Sequence, residues 1–119
     1  MKPIKLIVKT KSENYPIIIG SNLIKNLASH LRKNSINFDK CLLIIDDKVP
    51  RKMISKLTRS LKGKKVFKFL FKAREKNKNY KNVYKILQVL LDKNFSRLDC
   101  VITIGGGITG DVGGFAASL

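Results

Sequence analysis

At 119 residues the chain is long enough for one domain, and 44% hydrophobic residues exclude a compositionally disordered segment. No apolar run reaches the ~20 residues that span a bilayer, and Met1 to Lys5 lead into an alternating pattern instead of a signal-peptide core, so the expectation is a cytoplasmic protein without a membrane partner. The formal charge of +17, from 25 basic and 8 acidic residues, raises nucleic acid as a partner. The pattern argues against it. The lysines are spread along the chain, the surplus of Lys, Ile and Asn follows A/T-rich codons, and arginine, the better fork for phosphate, stands only at Arg32, Arg51, Arg59, Arg74 and Arg97.

Taken in order, Ile4, Leu6 and Val8 alternate with Lys5, Ile7 and Lys9, a period-two strand with one face towards a core. Tyr15–Ile19 forms a second strand, with Pro16 at an edge or strand start, and the two make a hairpin. Ser21 or Asn22 can cap a helix carrying Leu23, Ile24, Leu27, Ala28 and Leu31. Cys41–Ile45 is a continuous apolar run, as in a parallel strand covered on both faces. Asp46 and Asp47 end it. Pro50 suits the first turn of a helix whose buried stripe is Met53, Ile54, Leu57 and Leu61, with Gly63 as its stop. Val66–Phe71 is the next strand, and Lys72–Asn79 a polar connection. Tyr80, Val83, Tyr84, Leu87, Leu90 and Leu91 define a long helix that breaks at Asn94. Val101–Ile104 is the last strand.

The order β-hairpin, α, β, α, β, α, β, glycine loop, α implies an α/β fold: an open, mostly parallel, Rossmann-like sheet with helices on both faces and an N-terminal β-hairpin. Asp111–Leu119 is small or apolar throughout and carries no helix-stop signal. Such a buried helix without a cap suggests a piece of a larger protein.

Cys41 and Cys100 each open a buried strand and belong to no C-x-x-C or Cys/His cluster, so they read as structural thiols and not zinc ligands. His30, the one histidine, sits among Leu27, Ala28 and Leu31 and reads as a packing or surface residue.

The chemistry concentrates where the glycines do. Gly105–Gly110 satisfies G-x-G-x-x-G between a strand and a helix that begins at Asp111. Glycines let backbone N–H groups converge on phosphate oxygens, and a helix N-terminus adds its dipole. The dinucleotide fingerprint normally occupies the first βα turn, with an acid ~20 residues on, and this one follows a late strand. An acid is available upstream. Asp46 lies at the carboxyl end of a parallel strand, the edge where open α/β sheets bind ligands. There it can hold a ribose while Gly106 and Gly107 carry a pyrophosphate, or it can simply form a turn with Asp47 and cap the Pro50 helix. Asp111 can cap its helix or hold a ligand hydroxyl. Close to a phosphate loop it repels an anion unless aimed elsewhere.

The string Gly105–Ala117, Gly-Gly-Gly-Ile-Thr-Gly-Asp-Val-Gly-Gly-Phe-Ala-Ala, closely resembles the signature GGG-x-x-GD-x-x-GF-x-A of 3-dehydroquinate synthase, of the sugar-phosphate cyclase superfamily. Tyr15–Gly20, Ile44–Val49 and Glu75-x-x-Lys78 resemble further segments of that family in order and spacing, and Arg97 falls where the family has an arginine. The resemblance covers only the N-terminal, NAD-binding part of a full-length member. Ala73-Arg74 replaces the family's Asp-Gly, and Thr109 and Gly113 are milder variations. It implies NAD as cofactor, with Asp46 on a ribose, Lys48, Glu75 and Lys78 nearby, and Gly106, Gly107, Ile108, Thr109, Gly110 and Asp111 forming the phosphate loop and its closure. It implies conversion of 3-deoxy-D-arabino-heptulosonate 7-phosphate to 3-dehydroquinate and phosphate in the shikimate pathway, and a homodimer at full length. It also implies a zinc or cobalt ion, held by one glutamate and two histidines of the C-terminal domain. No catalytic or metal-binding residue of the family matches within these residues, so the chain alone is expected to be inactive. A 2-deoxy-scyllo-inosose or valiolone synthase is the nearest alternative. Iron-type alcohol and glycerol dehydrogenases share the fold, but Phe115 argues against them. A basic nucleic-acid-binding α/β module is the alternative of another class.

Overall fold

The computed structural model describes residues 2–119. Its elements are β1 (Ile4–Lys9), β2 (Asn14–Ile19), a 3₁₀ turn (Leu23–Asn26), α1 (Leu27–Lys33), β3 (Lys40–Asp46), α2 (Arg51–Ser60), β4 (Lys65–Phe71), a 3₁₀ turn (Glu75–Asn77), α3 (Tyr80–Asp92), β5 (Cys100–Ile104) and α4 (Gly107–Ser118).

β3 is the axis of the fold. It pairs in parallel with β4 on one side and β5 on the other, giving the order β4-β3-β5. Cys41 to Ile45 are completely buried, because both faces of the strand are covered. Leu42 and Ile44 point into a core shared with Phe71, Val83, Ile86, Val112 and Ala116, that is, with α3 and α4. Cys41, Leu43 and Ile45 point into a second core with Phe38, Leu57 and Leu61, roofed by α1 and α2. Full burial of each Leu or Ile stabilises the fold by about 1.5–3 kcal/mol.

The expected α/β architecture is therefore present, with helices on both faces of a parallel sheet. Strand order adds a fact that periodicity cannot supply. α2 leaves β3 towards one face, whereas α4 leaves β5 towards the other. Since β3 and β5 are neighbours, their carboxyl ends bound a topological switch point, where chains diverge and leave a crevice.

Several local expectations are corrected. The β1–β2 hairpin forms a sheet of its own, and its apolar face is not core: Ile4, Leu6, Tyr15, Ile17 and Ile19 are 41–53% exposed. Alternation reports which residues share a face, not whether another layer covers it. Asn22 makes no side-chain cap; it takes a left-handed conformation (φ 56°), and the first turn after it is 3₁₀ before α1 begins. In α2 the buried stripe is Ile54, Leu57 and Leu61, while Met53 lies on the flank, 40% exposed. In α3 it is Val83, Ile86, Leu87 and Leu90, while Tyr80, Tyr84 and Leu91 are well exposed. This helix is apolar around more than half its circumference, and the sheet covers one stripe of it. α4 likewise buries one face, through Thr109, Val112, Gly113 and Ala116, and leaves Phe115 and Leu119 exposed.

Candidate functional site

The carboxyl edge of the sheet is built from the ends of β3 and β5. Ile45 is in register with Ile104, so Asp46 and Gly105 stand side by side. Gly105 makes the reversal out of β5 at φ +150°, in the region that favours glycine. A Cβ there would sit 2.8 Å from Thr109 Oγ1 and 2.9 Å from Asp46 Cβ. Asp46 Oδ1 accepts the backbone N–H of Lys48 at 3.2 Å, and Asp47 donates its N–H to Phe71 O. Asp46 thus does form a turn, yet no side chain caps α2.

α4 begins at Gly107, four residues before Asp111, with Gly106 as its N-cap. The stretch read as a six-residue loop is a two-residue turn followed by helix. Once Gly105 has reversed the chain, Thr109 and Val112 gain burial by continuing as helix. Gly106 has no side chain with which to cap, and the N–H groups of the first turn have no acceptor within the helix. Thr109 is fully buried, and its Oγ1 has no hydrogen-bond partner among the described residues. Gly113 is a packing glycine, since a Cβ there would collide with Thr103 Cγ2. Gly106, Gly107 and Gly110 are different, as is Gly114 further along α4: a Cβ at each would meet no protein atom within 4 Å, and neither packing nor a positive φ demands glycine there.

Asp111 lies in the second turn of α4 and is aimed away from the helix mouth. Its Oδ2 is 3.0 Å from Lys78 Nζ, which reaches over from the entry to α3. The hydrogen bond to Asp111, then its charge, then that of Glu75 raise the Lys78 ammonium above the ordinary lysine value. Asn79 Oδ1 accepts the N–H of Asn82 and so caps α3, fixing where the chain enters the helix just after Lys78. Tyr80 and Phe115 meet edge to face at 5.8 Å, joining the same two helices. With Lys78, Asn79, Val83, Asp111 and Val112 they line a groove of about 210 Å³.

The structure thus places the sequence-derived residues in two groups on one edge. Asp46, Gly105 and Thr109 are wedged together at the switch point. Lys78, Asp111 and Glu75 form a charged cluster between α3 and α4. Lys48 and Glu75 are exposed. Arg74, which replaces a family glycine, has φ −123° in extended backbone that any residue adopts. Sequence reasoning missed Asn79, Tyr80 and Phe115 as neighbours. Asn just before an apolar-periodic run was a legible cap signal; the Tyr80–Phe115 contact joins residues far apart in sequence and left none.

A family profile described as 3-dehydroquinate synthase N-terminal matches residues 68–119, the segment running from β4 through the charged cluster and the glycine turn. Over 115 residues the chain is 51% identical to 3-dehydroquinate synthase of Pelagibacter ubique, covering 97% of this chain and 31% of that protein. The chain is similar to 3-dehydroquinate synthases. It matches the N-terminal part of such synthases and spans about a third of their length. The synthase of Alkaliphilus metalliredigens is 34% identical over 115 residues, again 97% of this chain and 31% of that protein. Among solved structures, 2-deoxy-scyllo-inosose synthase superposes with a TM-score of 0.85 at 20% identity, covering 98% of this chain and 33% of that one. A second crystal structure of that enzyme, complexed with carbaglucose-6-phosphate, NAD+ and Co2+, gives the same TM-score over 98% of this chain and 31% of that one. At such identity the likeness establishes the fold.

Proposed function

We propose that this chain is the NAD-binding part of a 3-dehydroquinate synthase, the lyase that closes 3-deoxy-D-arabino-heptulosonate 7-phosphate to 3-dehydroquinate with loss of phosphate. The observation that carries the reading is the seat of the Gly105–Ala117 motif. It lies at the switch point of the sheet, in a chain 51% identical over 115 residues to a 3-dehydroquinate synthase. The residues present fit a dinucleotide. Gly106, Gly107 and Gly110 present backbone that no protein atom crowds, at an uncapped helix N-terminus.

In this reading the first turn of α4 donates N–H groups to the diphosphate. Asp46 accepts hydrogen bonds from a ribose. Lys48, Glu75 and Lys78 border the same edge, and Ile108 and Thr109 pack the turn against β3 and β5. When bound, NAD supplies a hydride acceptor that is restored within the turnover. The chain's own contribution is to bind and orient it. Among the described residues no three His, Cys, Asp or Glu side chains converge as a metal site. No zinc or cobalt step is assigned to these residues in this reading. A phosphorylated sugar-acid substrate, a cytoplasmic setting and a homodimer at full length belong to the same proposal.

Titration of NAD+ into the chain, followed by calorimetry, tests it. One molecule per chain is expected, with binding weakened at least tenfold, about 1.4 kcal/mol, by Asp46→Ala. A wild-type chain that takes up no NAD+, yet retards duplex DNA at low salt, would instead support the basic nucleic-acid module.

A further inference from the structure

The end of the sheet away from the glycine turn holds a second concavity. The last turns of α1 and α2, with the segment leading into β3, enclose a groove of about 120 Å³. Ser60 Oγ of α2 accepts the backbone N–H of Ala28 in α1 at 3.1 Å, which sets the spacing of the two helices. Each helix is followed by a left-handed residue, Ser35 (φ 61°) and Gly63 (φ 93°). The Ile36 N–H returns to Leu31 O at 2.9 Å and the Lys64 N–H to Leu61 O at 3.0 Å, so both connections fold back along the groove. Leu31, Phe38 and Leu61 supply its apolar, largely buried floor. Arg32, Lys62 and Lys64 form its exposed rim, and no carboxylate lines it.

The charge of this rim is not answered by the protein. Among the described residues none of the three cations has an ion-pair partner. Asp39, the acid nearest in sequence, is exposed and outside the lining. Cations at this place offset the C-terminal dipoles of α1 and α2. Each helix end contributes about half a negative charge, so the two leave about two of the three positive charges over. Lys64 Nζ also lies 5.2 Å from the centre of the Phe38 ring, which holds its charge beside the apolar floor.

We propose that this groove binds a small organic carboxylate with an apolar body: the body on Leu31, Phe38 and Leu61, the carboxylate among Arg32, Lys62 and Lys64. A cavity of ~150 Å³ holds benzene, so the groove, open at its mouth, suits a body of about six carbons. Inorganic phosphate leaves the apolar floor bare, and an uncharged ring leaves the cations unanswered. The groove lies at the amino ends of the strands and the glycine turn at their carboxyl ends, so the two sites do not compete for one ligand.

Calorimetric titration of the chain with benzoate, phenol and inorganic phosphate at low salt tests the proposal, with urea unfolding as the check on folding. One benzoate per chain is expected, with a Kd of about 1 mM or tighter. Phenol and phosphate should each bind about tenfold more weakly, or worse. An exposed charge is worth up to about fivefold, so Lys62→Gln together with Lys64→Gln should weaken benzoate about tenfold. Ala28 lines the groove, and Ala28→Leu, which fills it and keeps the charges, should abolish binding. Asp46→Ala, at the other edge, should leave benzoate within about twofold of wild type. The proposal is overturned if wild type takes up no benzoate, if both groove variants leave uptake unchanged, or if phosphate binds as tightly. Loss of benzoate in Asp46→Ala also overturns it, by placing the anion at the glycine turn. Should Ala28→Leu fail to fold, the two exposed lysines decide alone.

Discussion

Gly105 and Gly106 are adjacent and answer to different constraints. Gly105 is fixed by the protein, through its φ of +150° and the approach of Thr109 and Asp46. Gly106 has φ −90° and ψ −164°, which other residues adopt, and open space where a Cβ would go. Gly105→Ala is accordingly expected to destabilise the chain by about 2 kcal/mol in urea unfolding. Gly106→Ala should stay within ~0.5 kcal/mol of wild type and weaken NAD+ binding instead. Equal loss of stability in both would mean that Gly106 too serves the fold. The string of glycines was legible in the sequence; their division into fold-serving and ligand-facing members was not, because it depends on which atoms lie across from each Cα. The cysteines illustrate the same point. Cys41 and Cys100 are register partners on neighbouring strands. Burial, then the nearby Cys100, push the Cys41 thiol up to about 11. This agrees with the structural role read from the sequence.

At the scale of elements, the start of β3 is tied down by a polar staple that no motif announced. Asp99 accepts N–H groups from Ser96 at 2.9 Å and Lys40 at 3.2 Å, while Lys40 Nζ donates to the carbonyls of Lys93 and Asn94 and sits over the Phe95 ring. The Ser96 N–H, then the N–H and charge of Lys40, hold the Asp99 carboxyl below the ordinary aspartate value, against the opposing effect of burial. The sign follows. A carboxyl whose folded value lies below its unfolded value, ~3.9, contributes stability above that unfolded value and loses it as pH falls through the folded one. Wild type should therefore lose stability through this acid range, and Asp99→Asn should remove that part of the pH dependence in urea unfolding at a series of pH values. Identical profiles would show the staple to be without consequence. Element types and order were readable from apolar periodicity. The start of α4 was not. Gly107–Gly110 has poor helix propensity, and it is helical because Thr109 and Val112 find cover on the sheet.

For the whole molecule, charge is the dominant unbalanced quantity. The chain carries +17, against which the described residues form two ion pairs, Lys40–Asp99 and Lys78–Asp111. Self-repulsion of this kind opposes the compact state. Raising sodium chloride from about 0.01 M to about 1 M shortens the screening length from ~30 Å to ~3 Å, so the Tm should rise by several degrees. A flat or falling Tm would show that repulsion does not limit stability.

By itself the sequence determined the class of fold, the order of elements, the glycine turn and the residues gathered at one sheet edge. These follow from local chemistry: side-chain periodicity, turn residues and the fact that successive parallel strands end at the same edge. Tertiary structure decided the rest. It set the order β4-β3-β5 and hence the switch point, left the hairpin face exposed, and turned Asp111 towards Lys78 instead of the helix mouth. Each of these depends on which distant segment packs against a given face, and a face shows its own pattern but not its partner.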